Sequence, residues 1–150
     1  MRMIVQRVSE ASVFIENKKH SSIGQGLLVY VGWGYADATI DSDWMIRKIL
    51  NMRIFNDHED VMNRSIIEVQ GQILVVSQFT LFASTKKGNR PSYMRSANNE
   101  TAKPLYNDFL EKLWTISNLP IKSGIFGADM EIKSINEGPI TIYIDSKNKE

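Results

Sequence analysis

Residues Ile73 to Ala97 read ILVVSQFTLFASTKKGNRPSYMRSA, and the stretch changes character halfway. It opens with apolar residues suited to a strand interior, passes through Ser77, Gln78 and Thr80, and then turns basic around Gly88. Upstream, Gln70-Gly71-Gln72 separates Ser65 to Val69 from Ile73 to Phe82, a pattern that predicts a hairpin. Further out, Gly26 to Gly32 reads as a buried strand bounded by glycines, and Met3 to Val8 and Ser12 to Ile15 read as strands that turn back through Glu16 to Lys19. Asp41, Ser42 and Asp43 supply capping groups for a first helix, on which Met45, Ile46, Ile49 and Leu50 share a face. A second helix centres on Leu105, Phe109 and Leu113, with Pro104 expected in its first turn. Met130 to Ile135 and Ile140 to Ile144 are strands interrupted by Asn136-Glu137-Gly138-Pro139. The expected fold is a single mixed α/β domain over residues 1–150, a curled, mostly antiparallel sheet or open barrel packed with two main helices.

A chain of 150 residues buries about 70% of the surface it exposes when unfolded, so it needs no covalent staple. It contains no cysteine, which excludes disulfides, thiolate catalysis and Cys-ligated zinc. No apolar run approaches the roughly 18 residues of a membrane helix, and MRMIVQRVSE lacks the apolar core of a signal peptide. The expectation is a cytoplasmic protein with no membrane partner. A formal charge of +1 means that a nucleic-acid partner must be met by a local patch. Lys86, Lys87, Arg90 and Arg95 offer one, because the stretch from Phe82 to Ala97 has no acid and holds Tyr93 among its cations. Taken alone, such a run reads as a solvated loop; beside Ser77 to Thr80 it also reads as a contact for RNA phosphates.

Other chemistries find little support. His20 and His58, the only histidines, sit in polar turns and read as solvated imidazoles, which removes the base of a Ser-His-Asp triad. No spacing suits a metal: Asp57-His58-Glu59-Asp60 lacks the glycine and terminal glutamate of a calcium loop. Gly24-Gln25-Gly26 and Gly32-Trp33-Gly34 lack the third glycine of a phosphate loop and read as strand punctuation. No metal and no cofactor is expected.

The pair Ser77-Gln78-Phe79-Thr80-Leu81 and Asn136-Glu137-Gly138-Pro139-Ile140-Thr141, with Gly138 placed 61 positions after Ser77, resembles the two signatures of the D-aminoacyl-tRNA deacylases. Gln6-Arg7-Val8, Ala11-Ser12-Val13, Gly26-Leu27-Leu28-Val29, Arg53-Ile54-Phe55, Met62-Asn63, Leu74-Val75-Val76, Arg90-Pro91-Ser92 and Phe126-Gly127-Ala128-Asp129-Met130 resemble the family in the same order. Glu137 stands where the family more often has Asp, and Ile140 where it often has Val.

The resemblance implies a metal-free homodimer that hydrolyses the ester joining a D-amino acid, or misplaced glycine, to the 3′-terminal adenosine of tRNA. It further implies that Gly138 and Pro139, joined by a cis bond, enter the partner's active site as a chiral gate whose backbone oxygens reject an L side chain. Arg7 braces that loop, and Ser77, Gln78, Phe79 and Thr80 hold the aminoacyl group. An aminoacyl ester is already activated, so the chemistry asks for a positioned water and for donors aimed at the developing oxyanion. Backbone amides at Phe79 and Thr80 suit that role. Gln78 can hydrogen-bond the substrate and Phe79 can wall the pocket. Thr80 as a nucleophile would need an adjacent base, and neither histidine nor any neighbouring carboxylate is an obvious one. Two alternatives stand beside this reading: a non-catalytic RNA-binding protein of the same fold, and a general esterase using Thr80.

Overall fold

Strand β1 (Arg2–Ile15) is the spine of the protein, because both of its edges are occupied. The computed structural model describes residues 1–149. After β1 the elements are β2 (Lys18–Ile23), β3 (Gly26–Gly32), α1 (Thr39–Asn51), β4 (Phe55–Asn56), β5 (Met62–Arg64), β6 (Gln72–Ser77), a 3-10 turn at Phe79–Phe82, α2 (Asn99–Ser117), β7 (Ile121–Ser123) and β8 (Glu131–Asp145). Along one edge β1 pairs with β3 through Arg2 to Val8 and with β2 through Ala11 to Ile15; along the other it pairs with β8 from Arg2 to Phe14. All three pairings are antiparallel. The sheet continues from β3 to β6 and β7 in parallel register, and Ser21 Oγ donates to the Ser123 carbonyl at 2.9 Å, drawing β2 toward β7. The expected curled, mostly antiparallel sheet packed with two main helices is what forms, with β6 and β7 joined to it in parallel.

The expected strands at Met3 to Val8 and Ser12 to Ile15 are one strand with a fault in it. Ser9 and Glu10 are both exposed, and the register against β8 shifts twice between Gln6 and Glu10. A bulge of this kind reverses the alternation of side chains. Met3 and Val5 therefore point into the core beneath the helices, whereas Ala11 and Val13, of the same parity, point into a second core inside the curl. Strands β3 and β6 feed both cores: Leu27, Val29, Val31, Ile73 and Val75 face the helices, and Leu28, Leu74 and Val76 face the curl. Burial on two faces is why both strands are nearly unbroken apolar runs.

The hairpin expected around Gln70-Gly71-Gln72 does not form. Ser65 to Gln70 coil instead: Glu68 accepts from the Ser65 amide at 2.6 Å and its hydroxyl at 2.7 Å, while the Glu68 amide reaches back to Ser65 Oγ at 3.3 Å. Ser65-Ile66-Ile67-Glu68 is a capping-box pattern, a helical-turn signal that outweighs the β-branched run. Released from Ser65 to Val69, β6 lies parallel to β3 across the α1 connection. The final two expected strands are likewise one element, β8, which runs through Gly138 and Pro139. Helix α2 begins before its expected start, where the Asn98 side chain accepts from the Thr101 amide at 2.9 Å. Pro104 lies beyond the first turn, and the Glu100 carbonyl that it cannot serve belongs to an exposed residue.

Helix α1 starts at Thr39, ahead of the expected capping cluster, and Asp41 reaches back to the Ala38 amide at 3.0 Å. Asp41 is buried, accepts from Ser146 Oγ at 2.7 Å, and pairs with Lys147 at 2.8 Å. Burial alone would raise its pKa; the hydrogen bonds from Lys147, Ala38 and Ser146 and the nearby N-terminal ammonium outweigh it and lower the pKa from 3.8 to about 2. A depressed folded-state pKa contributes stability above the unfolded value that is lost as pH falls from about 4 toward 2. Replacing Asp41 with Asn should cost about 2 kcal/mol at neutral pH, with the deficit fading near pH 2. Denaturant unfolding at both pH values measures it, and an equal deficit at each would exclude the linkage.

Candidate active site

The site begins where β6 runs out of partner. Pairing with β3 ends at Val31 and Ser77, and the Gln78 amide donates to the Val31 carbonyl at 2.7 Å. At Gly32 a Cβ would lie 2.5 Å from the Gln78 carbonyl oxygen, so only glycine admits this approach. The strand expected to reach Phe82 therefore stops at Ser77, and the chain rolls into the 3-10 turn. Arg2 pins that turn: Nη1 donates to the Leu81 carbonyl at 2.9 Å, Nε pairs with Asp145 at 2.9 Å, and the guanidinium lies 4.7 Å from the Phe82 ring centre. Gln78 Nε2 donates to Thr80 Oγ1. In either orientation of the Gln78 amide, Thr80 faces a group that cannot take its proton at neutral pH.

Beside the turn is a cleft of about 150 Å³, with Gly32, Ser77, Gln78 and Phe79 on one wall and Ser96, Asn99, Ala102 and Phe126 among the residues opposite. Its base is braced by edge-on aromatic contacts, Trp33 to Tyr106 at 6.2 Å and Trp33 to Phe109 at 5.9 Å. Trp33 Nε1 donates to Ser42 Oγ at 3.1 Å and Tyr106 donates to the Val75 carbonyl at 3.1 Å. Burial pushes the Tyr106 phenol up to about 12 against an opposing hydrogen bond with Ser123, so it stays protonated and serves as scaffold. A larger hollow of about 710 Å³ between α1 and β8 contains none of the expected site residues.

Gly138 and Pro139 are elsewhere. Their peptide bond is cis, and Gly138 has φ +114°, with Arg7 Nη2 only 3.3 Å from where a Cβ would stand. Buried Arg7 donates to the Ile54 carbonyl at 2.7 Å and to Asn56 Oδ1 at 3.2 Å, and its Nε lies 3.6 Å from Glu137. Arg7 thus ties the Gly138 loop to β4. Arg2, at the turn, is five residues up β1 from Arg7, about 17 Å at ~3.4 Å per residue. Gly138, Pro139 and Arg7 are not among the residues that line the cleft beside Thr80.

Lys86, Lys87, Arg90 and Arg95 are exposed and form no ion pair among the described residues. Ser84 and Ser92 exchange backbone hydrogen bonds at 2.8 and 2.9 Å, closing a loop that carries the first three at its tip. His20 and His58 are exposed and stand in other parts of the chain. No group of three or more potential metal-ligating His, Asp or Glu side chains occurs among the described residues.

The family model described as D-Tyr-tRNA(Tyr) deacylase matches residues 4–145. The chain belongs to that family. A protein from Bacteroides thetaiotaomicron named D-aminoacyl-tRNA deacylase is 54% identical over 150 residues, covering 100% of both chains, and one of the same name from Azobacteroides pseudotrichonymphae is 52% identical over the same span. Among solved structures, one described as the c-Myc DNA Unwinding Element Binding Protein matches with TM-score 0.91 and 40% identity, over 97% of this chain and 98% of that one. Another, described as a probable eukaryotic D-amino acid tRNA deacylase, shares the fold at TM-score 0.82 and 19% identity, over 95% and 97% of the two chains.

Within this family member, sequence reasoning finds the near wall of the cleft and misses the far one. Phe126 belongs to a segment that resembles the family, yet nothing in its surroundings marks it as a pocket wall. Asn99 and Ala102 escape because α2 starts earlier than its apolar stripe suggests. The tight contact at Gly32 yields a direct test. Gly32→Ala should lower stability by roughly 1–3 kcal/mol, as overpacking does, and displace Gln78 from the cleft wall. Thermal unfolding together with a crystal structure of the variant measures both, and an unchanged Gln78 position would remove Gly32 from the architecture of the site.

Proposed function

We propose that this protein hydrolyses the ester bond of D-aminoacyl-tRNA, releasing free tRNA and the D-amino acid. The observation that carries the reading is a cleft rimmed by Ser77, Gln78 and Phe79, beside Thr80, in a member of the deacylase family. Water adds to the ester carbonyl, the carbonyl oxygen takes the negative charge, and collapse breaks the bond to the ribose oxygen, which leaves with a proton. The amides of Phe79 and Thr80 open the 3-10 turn, have no carbonyl within that turn to serve, and are the donors for the oxyanion. Thr80, hydrogen-bonded to Gln78, positions the substrate, and the ribose hydroxyl of the substrate assists the water.

In this reading the working unit is a homodimer. Gly138 and Pro139, on β8 and outside the lining of their own chain's cleft, act as the chiral gate at the partner's site, braced by Arg7. A backbone oxygen set against the α-carbon admits a D substituent and excludes an L one. Glycine, with no side chain to exclude, passes the same gate. Lys86, Lys87, Arg90 and Arg95 meet tRNA phosphates, and the activity belongs in the cytoplasm, where tRNA is charged. A second reading, a nucleic-acid-binding protein without catalysis, draws on those exposed cations and on the structural relative described as a DNA-element binder.

Two experiments separate these readings. Offered matched D- and L-aminoacyl-tRNAs and a simple ester, the protein should deacylate only the D form, and Thr80→Ala should retain turnover reduced roughly 10- to 100-fold. Complete loss in Thr80→Ala with a trapped acyl-threonine in the parent would make Thr80 the nucleophile, hydrolysis of the simple ester would establish the general esterase, and binding without hydrolysis the non-catalytic protein. Replacing Lys86, Lys87, Arg90 and Arg95 with Ala should weaken binding of all tRNAs alike. It should also flatten the salt dependence by up to ~0.9 for each phosphate no longer neutralised, with the D preference intact. An unchanged salt slope would return the patch to a solvated loop.

A further inference from the structure

We infer that Tyr93, joined to the cleft through Phe79, and its exposed neighbour Met94 form a stacking platform for the unpaired nucleotides that precede the terminal adenosine of the substrate; the inference rests on the tRNA reading above. Phe79 lines the cleft and is 56% exposed, Tyr93 is 39% exposed, and Met94 is 91% exposed. The rings of Phe79 and Tyr93 meet edge to face, centres 5.0 Å apart at 69°. That contact carries an aromatic surface from inside the cleft out onto the protein exterior. An edge-to-face pair leaves ring faces open to a further planar group, and the exposed thioether of Met94, next in sequence, is flexible enough to adapt to bases of different outline.

The platform is held in place. The Ser96 amide donates to the Tyr93 carbonyl at 2.9 Å, the Ala97 amide to the Trp33 carbonyl at 2.8 Å, and the Tyr35 amide to the Arg95 carbonyl at 3.2 Å. On its other side the Ser84 and Ser92 exchange closes the basic loop. Two large exposed side chains on a hydrogen-bonded backbone, flanked by Lys86, Lys87, Arg90 and Arg95 with no acid in the segment, match single-stranded RNA, whose bases stack while its phosphates meet cations. A hydrophobic protein partner would not call for those four cations. Duplex RNA, its bases already stacked, would leave the rings unused.

The test compares Tyr93→Ala, Met94→Ala and Tyr93→Phe with the parent on three substrates: D-aminoacyl-adenosine, the D-aminoacyl trinucleotide CpCpA, and D-aminoacyl-tRNA. Binding of adenosine and of unacylated CpCpA is titrated alongside. Tyr93→Ala should lose roughly 5- to 100-fold in kcat/KM and in binding wherever the tail is present, and leave the adenosine-only ligands unchanged. Tyr93→Phe should restore the parent values, and Met94→Ala should give a smaller loss of the same kind. An equal loss with and without the tail would reduce Tyr93 to a brace for Phe79 and overturn the platform, as would a change in oligomeric mass that explains the loss. If the parent hydrolyses none of the three, the deacylase reading fails while the CpCpA titration still decides the platform.

Discussion

The close approach of Gly32 to the Gln78 carbonyl is the constraint on which the site depends. Parallel pairing between β3 and β6 is continuous until Ser77 and ends because β3 itself ends at Gly32. The chain then has no edge to follow, and Phe79 to Phe82 wind into a 3-10 turn that exposes Phe79 and sets Thr80 beside Gln78. A side chain at position 32 would push the turn away from its neighbours. Site and sheet are therefore one structural problem, solved by a missing Cβ.

Two arginines divide the remaining work, both from β1. Arg2 links the 3-10 turn to β8 through the Leu81 carbonyl and Asp145, and Arg7 links the Gly138 loop to β4 through Ile54 and Asn56. Each guanidinium offers a fork of donors and joins segments far apart in sequence. A shift in β1 would be felt at both places. The bulge at Ser9 and Glu10 lies beyond Arg7, so the reversal of side-chain parity does not reach either arginine.

The aromatic layer under the cleft has a different task. Trp33, Tyr106, Phe109 and Phe126 meet at steep or tilted angles, with the polar atoms of Trp33 and Tyr106 satisfied by Ser42 and Val75. Satisfied buried polar groups hold rings in one arrangement where apolar contact alone would tolerate several. The aromatic layer thereby gives the cleft a braced base.

Much of this is legible in the chain. The apolar run Gly26 to Gly32 and the helical stripes on Met45 to Leu50 and Leu105 to Leu113 depend on local periodicity, and each is found where periodicity puts it, whereas the strand expected from Ile73 to Phe82 ends at Ser77. Ser65 to Val69 mislead because β-branched composition and a capping box compete over the same residues, though the Ser65–Glu68 spacing is there to be read. Three features are decided by tertiary structure alone: the parallel partner of β6, the far wall of the cleft at Asn99, Ala102 and Phe126, and the placement of Gly138 and Pro139 outside that cleft. Each depends on which segments meet across long sequence separations. A residue's own neighbours encode its conformation, and only the packed sheet determines what stands opposite it.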